Sequence, residues 1–478
     1  MEKVFQLKKN GTTARTEIVA GLTTFMTMAY IIALNPNLLT GFAVGTPLWN
    51  GVFLATCIAS AIGTICMAFL ANKPFAMAPG MGLNSFFAVV VSSIVSLSAL
   101  KGAEMTYTEA FQTALVIIFI EGIVFIILSV LNVREKIVEA IPAGVRMGIA
   151  PAIGLMLLNI GFGSNAGIYS ETGGPFFMMR DFFGALTPKV ATTAMGSGYA
   201  AMVLTVVTTL VGLIVIIVLA QRGVKAAVLI GMLVASVVYW AGQGIFLHTN
   251  PFEALKTASF IPPFKDMAAT TLFKLNFQTF FSIGIFTGIT LVITFCMIDM
   301  FDTIGTLVGT ASRAGMLDKD GKMPQMKQAL LSDAIGTVAG AVSGTSTVTT
   351  FIESASGVEA GGRTGLTALT TGVLFLLCIF IAPIAGLIPA AATSSALIYV
   401  GILMLSGLKN IHFDDMYETV PVAIMLIAMP ISGSIGHAIG LGLIFYTIMK
   451  VFAGKAKEVS VLTYVISCLF LIKFFLVA

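Results

Sequence analysis

Apolar stretches of membrane-crossing length recur along this chain, and they limit what it can fold into more than any other feature, since a helix needs about 20 apolar residues to span a bilayer. They cover residues 17–39, 51–71, 111–131, 143–162, 200–220, 224–247, 283–311, 366–387, 392–407 and 434–452. Three further regions, 74–97, 329–358 and 418–432, are apolar but interrupted by Gly, Pro, Ser or Thr, and a last stretch, 459–477, is long enough to span or to lie against the membrane. Composition agrees: 57% of the 478 residues are hydrophobic and 10% charged, where a soluble surface needs about a quarter charged. The 48 glycines and 25 methionines suit helices packed closely in lipid. The chain reads as an all-α integral membrane protein with the bilayer as its solvent.

Basic residues set its orientation, because short cytoplasmic loops are enriched in Lys and Arg. Lys8, Lys9 and Arg15 place the N-terminus inside, and counting spans from there puts Lys73, Arg134 with Lys136, Arg222 with Lys225, and Arg313, Lys319, Lys322 and Lys327 on the same side. The longer connections 163–199 and 248–280 fall outside. The polar N-terminus lacks the pattern of a cleavable signal, so the first span is expected to direct insertion and stay, giving a multi-pass protein of the cell membrane with a cytoplasmic N-terminus. The net charge of +4 is spread over short connections, with no run able to grip phosphates, so no nucleic-acid partner is expected. Cys57, Cys66, Cys296, Cys378 and Cys468 lie in apolar stretches without paired or metal-ligand spacing and read as packing residues. His248, His412 and His437 are scattered at or near helix ends and read as interfacial. No metal site and no cofactor other than a coupling proton is expected.

Many transporters consist of two inverted copies of one unit, and two traces of a repeat survive here. Ala61-Ile62-Gly63-Thr64 recurs as Ala334-Ile335-Gly336-Thr337, an offset of 273 (334 − 61). Ile141-Pro142-Ala143 recurs as Ile388-Pro389-Ala390, an offset of 247 (388 − 141), with Gly-led apolar runs from Gly154 and Gly401. Seven spans per copy is an odd number, so the second copy must be inverted. The first offset lays Pro79-Gly80-Met81-Gly82 over Ile352-Glu353-Ser354-Ala355, where both spans look broken: proline removes a backbone donor and glycines loosen the turn in one, and small and β-branched residues precede a carboxylate in the other. Broken helices at matching points of two halves point to a transporter's binding site, and their free N–H groups can hold a polar ligand. Two surface loops are the plainer reading, against which stand the apolar flanks and the scarcity of charge.

Acids at membrane depth carry the remaining information, each costing at least about 2.5 kcal/mol at the bilayer centre unless paired, hydrated or protonated. In ITFCMIDMFDTIGTLVG, Asp302 and Thr306 share a helix face, with Gly305 and Gly309 nearby to admit another backbone or a ligand. Glu353 sits at the second break. An apolar cavity favours the neutral form of a carboxylic acid, so two such acids suit a proton-coupled carrier of a ligand rich in N–H donors. Asp299 reads as a partner for a neighbouring helix or as a residue near the membrane interface, Glu121 as a packing or lipid-edge residue, and Asp333 and Glu359 as near either the site or the cytoplasmic surface. An intramembrane aspartyl protease would need a second aspartate in a Gly-x-Gly-Asp setting, which is absent, and a channel would need a continuous polar lining. The reading is a transporter and not an enzyme, with an inorganic anion carrier as the alternative.

TEIVAGLTTFMTMAYIIALNP at 16–36, APGMGLNSFF at 78–87, FDTIGTLVG at 301–309 and ESASGVEAGGRTGLTA at 353–368 resemble the azaguanine-type purine base permeases, a branch of the nucleobase–cation symporters. The resemblance covers nearly the whole chain. It implies a fold similar to the uracil transporter: about fourteen spans in two inverted sevens, with a short strand leading into a half-helix in the third and tenth. The implied division is a cytoplasmic N-terminus (1–16), a core domain (17–131 and 281–387), a gate domain (132–248 and 388–478) and an extracytoplasmic loop (249–280). The stretch 459–477 is an addition to this plan. The resemblance further implies that Asp302 and Glu353 contact the ring N–H groups of a purine base and that one of the two carries the coupling proton, with Asn84 and the backbone of Gly80, Met81 and Gly82 completing the pocket. Ser354 and Thr306 join the candidate set on their positions. Guanine or hypoxanthine is expected ahead of adenine, and a homodimer stays open as the assembly.

Overall fold

The computed structural model describes residues 2–100, 104–131, 141–168, 199–256, 258–313, 315–318, 323–411, 414–432 and 435–476. Arg134, Lys136, Lys319, Lys322, His412 and most of the 163–199 connection lie outside them. Ten helices among the described residues are long and apolar enough to cross a membrane. Local signals start several of them. Thr13 caps α1 (Ala14–Met28) by accepting from the Thr16 N–H, Thr46 caps α3 (Pro47–Cys66), whose first residue is proline, and Thr106 with Glu109 forms a capping box on α5 (Tyr107–Val130). The first span continues from α1 into α2 (Ile31–Leu39), tightened at Ala29–Tyr30 where Ile32 and Ala33 N–H bond to carbonyls three residues back.

The two interrupted regions become strand-plus-helix units. β1 (Met77–Pro79) leads through Gly80 into α4 (Met81–Leu100), and β2 (Val348–Thr350) leads through a turn into α13 (Ser354–Glu359). The strands pair antiparallel, Met77 opposite Thr350 and Pro79 opposite Val348, extended by Gly80 N–H to Thr347 O at 3.1 Å and Phe351 N–H to Ala76 O at 3.0 Å. This pairing satisfies backbone groups that lipid could not. The 329–358 region, read from sequence as one interrupted stretch, holds a full helix as well: Met326–Ser343 ends at Gly344, whose φ of +109° suits glycine and whose N–H returns to Gly340 O.

The remaining helices are α6 (Ala143–Phe162), α7 (Tyr199–Gln221), α8 (Ala227–Phe246), the short α9 (Phe264–Thr270) and α10 (Phe277–Ser282), α11 (Ile285–Arg313), the α12 just described (Met326–Ser343), α14 (Gly365–Leu377), α15 (Ala390–Met404), α16 (Met416–Ser432), α17 (Ile435–Phe452) and α18 (Val461–Leu476). Adding α12, β2 with α13, α16 and α17 to the ten long helices makes fourteen crossings among the described residues. α18 runs antiparallel along α17, with Thr447 bonded to Ser467 at 2.9 Å and the Phe470 and Phe474 rings lying over Gly440 and His437.

The helices sort into two packed groups, α1–α5 with α11–α14, and α6–α8 with α15–α18. Each is built around a symmetric glycine contact. In the first group Gly63 and Gly336 face each other, a Cβ on either lying within 3.3–3.4 Å of the other's Cα, and Thr64 and Thr337 each hold the strand of their own half. In the second, a Cβ on Gly154 would lie 2.7 Å from Gly401 O and one on Gly401 2.8 Å from Gly154 O, each glycine twelve residues past the proline that precedes its helix. The fourteen crossings are an inverted repeat, and two glycine pairs that mark it in the sequence, Gly63 with Gly336 and Gly154 with Gly401, are points at which the copies touch.

Candidate substrate site

A cavity of about 320 Å³ lies where the paired strands meet the second group of helices. The first group contributes Tyr30, Gly80, Met81, Gly82, Asp302, Gly305, Thr306 and the run from Thr349 to Glu353. The second contributes a mostly apolar wall, including Ile149 and Ile153 on α6 and Val400, Leu403 and Met404 on α15, with Arg146, Ser406 and Gly407 at its end. Arg146 stands in the first turn of α6 and Ser406 just past α15, so the cavity reaches toward the face that carries the N-terminus. Contacts at that face include Lys225 with Glu359, Lys327 Nζ on Val130 O at 3.0 Å, and the Glu418 carboxylate accepting from Gly144 N–H.

The two acids approach the strands from opposite sides. Asp302 is half-buried on α11, its Oδ2 3.6 Å from where a Cβ on Gly80 would stand, and no described residue donates a hydrogen bond to it. Glu353 accepts from the Tyr30 hydroxyl at 2.7 Å, in the turn between β2 and α13. Tyr30 on the first span thus serves the second break, and Asp302 on the eighth span faces the first. The cavity floor therefore offers carboxyl oxygens and Gly80–Gly82 backbone, a set able to orient a flat polar ligand by its N–H groups.

Of the sequence candidates, the structure gathers Asp302, Glu353, Gly80, Met81, Gly82 and Thr306 around the cavity. Gly82 lets α6 approach, since a Cβ there would lie 2.8 Å from Ile153 Cγ2. Asn84 and Ser354 are fully buried and outside the lining. Asn84 Nδ2 donates to Pro79 O at 3.1 Å while its Oδ1 accepts from Ser346, and Ser354 Oγ accepts from Ala76 N–H at 2.9 Å. Both brace the strand crossing from behind.

Other membrane acids also gather there. Thr303 Oγ1 lies 3.0 Å from Asp299 Oδ1, 2.9 Å from Asp333 Oδ1 and 2.6 Å from Thr349 Oγ1, all four residues buried. Glu121, with no polar neighbour on its own helix, is buried and not at a lipid edge: its partner is Thr347, donating at 2.7 Å from the strand region of the other half. Glu359 is at the surface with Lys225. The five cysteines are free, and no cluster of metal-ligating side chains exists among the described residues.

Sequence reading missed Tyr30 and Arg146. Tyr30 sits in an apolar run without charge, and only the repeat offset, which lays it beside Asp302, could have singled it out. Arg146 is a charge inside an apolar span, a signal that was available.

Comparison with known proteins now decides the class. The family model Xan_ur_permease, described as a permease family, matches residues 15–438. The chain belongs to this permease family. It is a transporter and not an enzyme. The chain is similar to a putative permease of Methanocaldococcus jannaschii, 40% identical over 99% of this chain and 98% of the relative. It is 38% identical to the guanine/hypoxanthine permease PbuO of Bacillus subtilis over 99% of this chain and 100% of the relative, and 37% identical to the adenine permease AdeP of Escherichia coli K12 over 99% and 95%. Among solved structures, the transmembrane domain of the cyanobacterial bicarbonate transporter BicA superposes on this permease with a TM-score of 0.60 at 15% identity, covering 89% of this chain and 96% of that one, a likeness of fold alone.

Proposed function

We propose that this permease imports a purine base together with a proton by alternating access. The observation that carries the reading is the pair of acids, Asp302 and Glu353, held on either side of a strand crossing in a cavity whose opposite wall is apolar. Two carboxylates left charged together in such a place are costly, and one proton removes most of that cost. A neutral base and a proton then bind as one load. The adenine and guanine/hypoxanthine permeases among the relatives supply the substrate class, with guanine or hypoxanthine ahead of adenine.

The first group of helices acts as the core that carries the site and the second as the gate against which it moves. With the basic residues of the N-terminal face in the cytoplasm of a cell whose plasma membrane holds the protein, the cavity is in its inward-facing form. Loading occurs from outside, and release follows where the proton concentration is lower and the base is consumed. An anion carrier of the same fold has Arg146 at the cavity end in its favour and both floor acids against it.

Uptake of radiolabelled hypoxanthine, guanine, adenine, uracil and sulfate into cells without their own base carriers, with and without a protonophore, tests the proposal. Purine uptake that a protonophore abolishes is the expected result. Sulfate uptake without purine uptake from a correctly inserted protein overturns it.

A further inference from the structure

We infer that Gly305 sets the size limit of the substrate by leaving open the space that its side chain would fill, an inference that rests on the proposed base transport. Two glycines flank Asp302 in the cavity lining, Gly80 across from it and Gly305 one turn along its own helix. Packing accounts for Gly80, where a Cβ would stand 2.6 Å from Thr349 Cγ2. Packing does not account for Gly305, because a Cβ there meets nothing within 4 Å. Glycine is the costliest residue short of proline in a helix interior, and α11 continues well beyond it on both sides. The space beside Gly305 is the cavity itself.

Three residues advance an α-helix by about 4.5 Å, so Gly305 lies that far from the Asp302 carboxyl level, toward the N-terminal face. A ligand bonded to Asp302 by one edge places its far edge there, which for a bicyclic base is the second ring and whatever it carries. A methyl at this position removes room from that edge while leaving both acids untouched. Gly309, one turn further on, also has open space around its Cβ position but lies outside the cavity lining, which makes it the control.

The test is competition for uptake by a graded series: uracil, hypoxanthine, and hypoxanthine carrying a methyl or a benzyl group. In Gly305→Ala the largest analogue tolerated by the wild type is lost. In Gly305→Val the KM for hypoxanthine itself rises by roughly tenfold or more, the usual effect of a methylene-sized misfit, while Gly309→Val keeps the wild-type cut-off. An unchanged cut-off in both Gly305 variants overturns the inference. Should the valine variant fail to insert, the alanine variant, adding one carbon to open space, carries the test. A wild type that carries no purine overturns the proposed function instead, and is told apart because the wild type itself is then silent.

Discussion

The two broken spans share a strand, a crossing and a symmetry axis, yet they are furnished differently. At the first break Pro79 and Gly80 lead straight into a helix of 20 residues, and the lining residues Gly80, Met81 and Gly82 bring no polar side chain to the cavity. At the second, Glu353 supplies a carboxylate, and the helix that follows has 6 residues. The first break borrows its acid from α11, as Asp302, and the second borrows a hydroxyl from the first span, as Tyr30. The two unlike copies thus form one polar floor with unlike sides, suited to a planar, unsymmetrical ligand.

Removing the acids one at a time is the strongest way to break this comparison. Asp302→Asn and Glu353→Gln are each expected to abolish proton-driven accumulation while the protein still reaches the membrane. Their residual binding should differ. A glutamine in place of Glu353 can still accept from Tyr30 through its amide oxygen, whereas the Asp302 carboxyl has no donor among the described residues to hold it. Hydrogen bonds to charged groups contribute about 1.5–3 kcal/mol each, so base affinity measured on purified protein should fall roughly tenfold in Glu353→Gln and nearer a hundredfold in Asp302→Asn. Normal accumulation by both would remove them from the mechanism.

The close approach at the first break predicts a rescue. Gly80→Ala drives a Cβ into Thr349 Cγ2, and overpacking of this kind costs about 1–3 kcal/mol. Thr349→Ser removes that methyl and keeps the hydroxyl that meets Thr303. The double variant should therefore regain most of the thermal stability and uptake that Gly80→Ala loses. If the two defects simply add, the crossing is not the point of strain.

Much of this was legible before the structure. Most spans and the two breaks follow from apolar length and from proline, glycine and β-branched residues, which act locally. Asp302 and Glu353 stood out because membrane acids are few. Asn84 and Ser354 were placed in the site by position in a motif, and only the three-dimensional strand pairing shows them turned to its backbone. Glu121 and Asp333 have partners 226 and 30 residues away in sequence, Thr347 and Thr303, which no periodicity exposes. Tyr30 was hidden for the same reason.

The smallest effect probes the symmetry itself. Thr64 and Thr337 occupy matching places in the repeat, and each ties a helix to the strand of its own half. Thr64 does so twice, accepting from Met77 N–H at 2.9 Å and donating to Met77 O at 3.0 Å, whereas Thr337 only donates, to Val348 O at 3.1 Å. Valine in either place keeps the volume and removes the hydroxyl. At about 0.5–1.5 kcal/mol per hydrogen bond, with a further penalty for a buried N–H left unpaired, Thr64→Val should lower the thermal unfolding midpoint in detergent more than Thr337→Val does. Equal shifts would mean that the two halves hold their strands alike and that the difference between the breaks lies wholly in their cavity-facing residues. A larger shift for Thr64→Val places part of it in the scaffold, with the chargeless break, which brings no polar side chain to the cavity, needing the firmer hold on its strand.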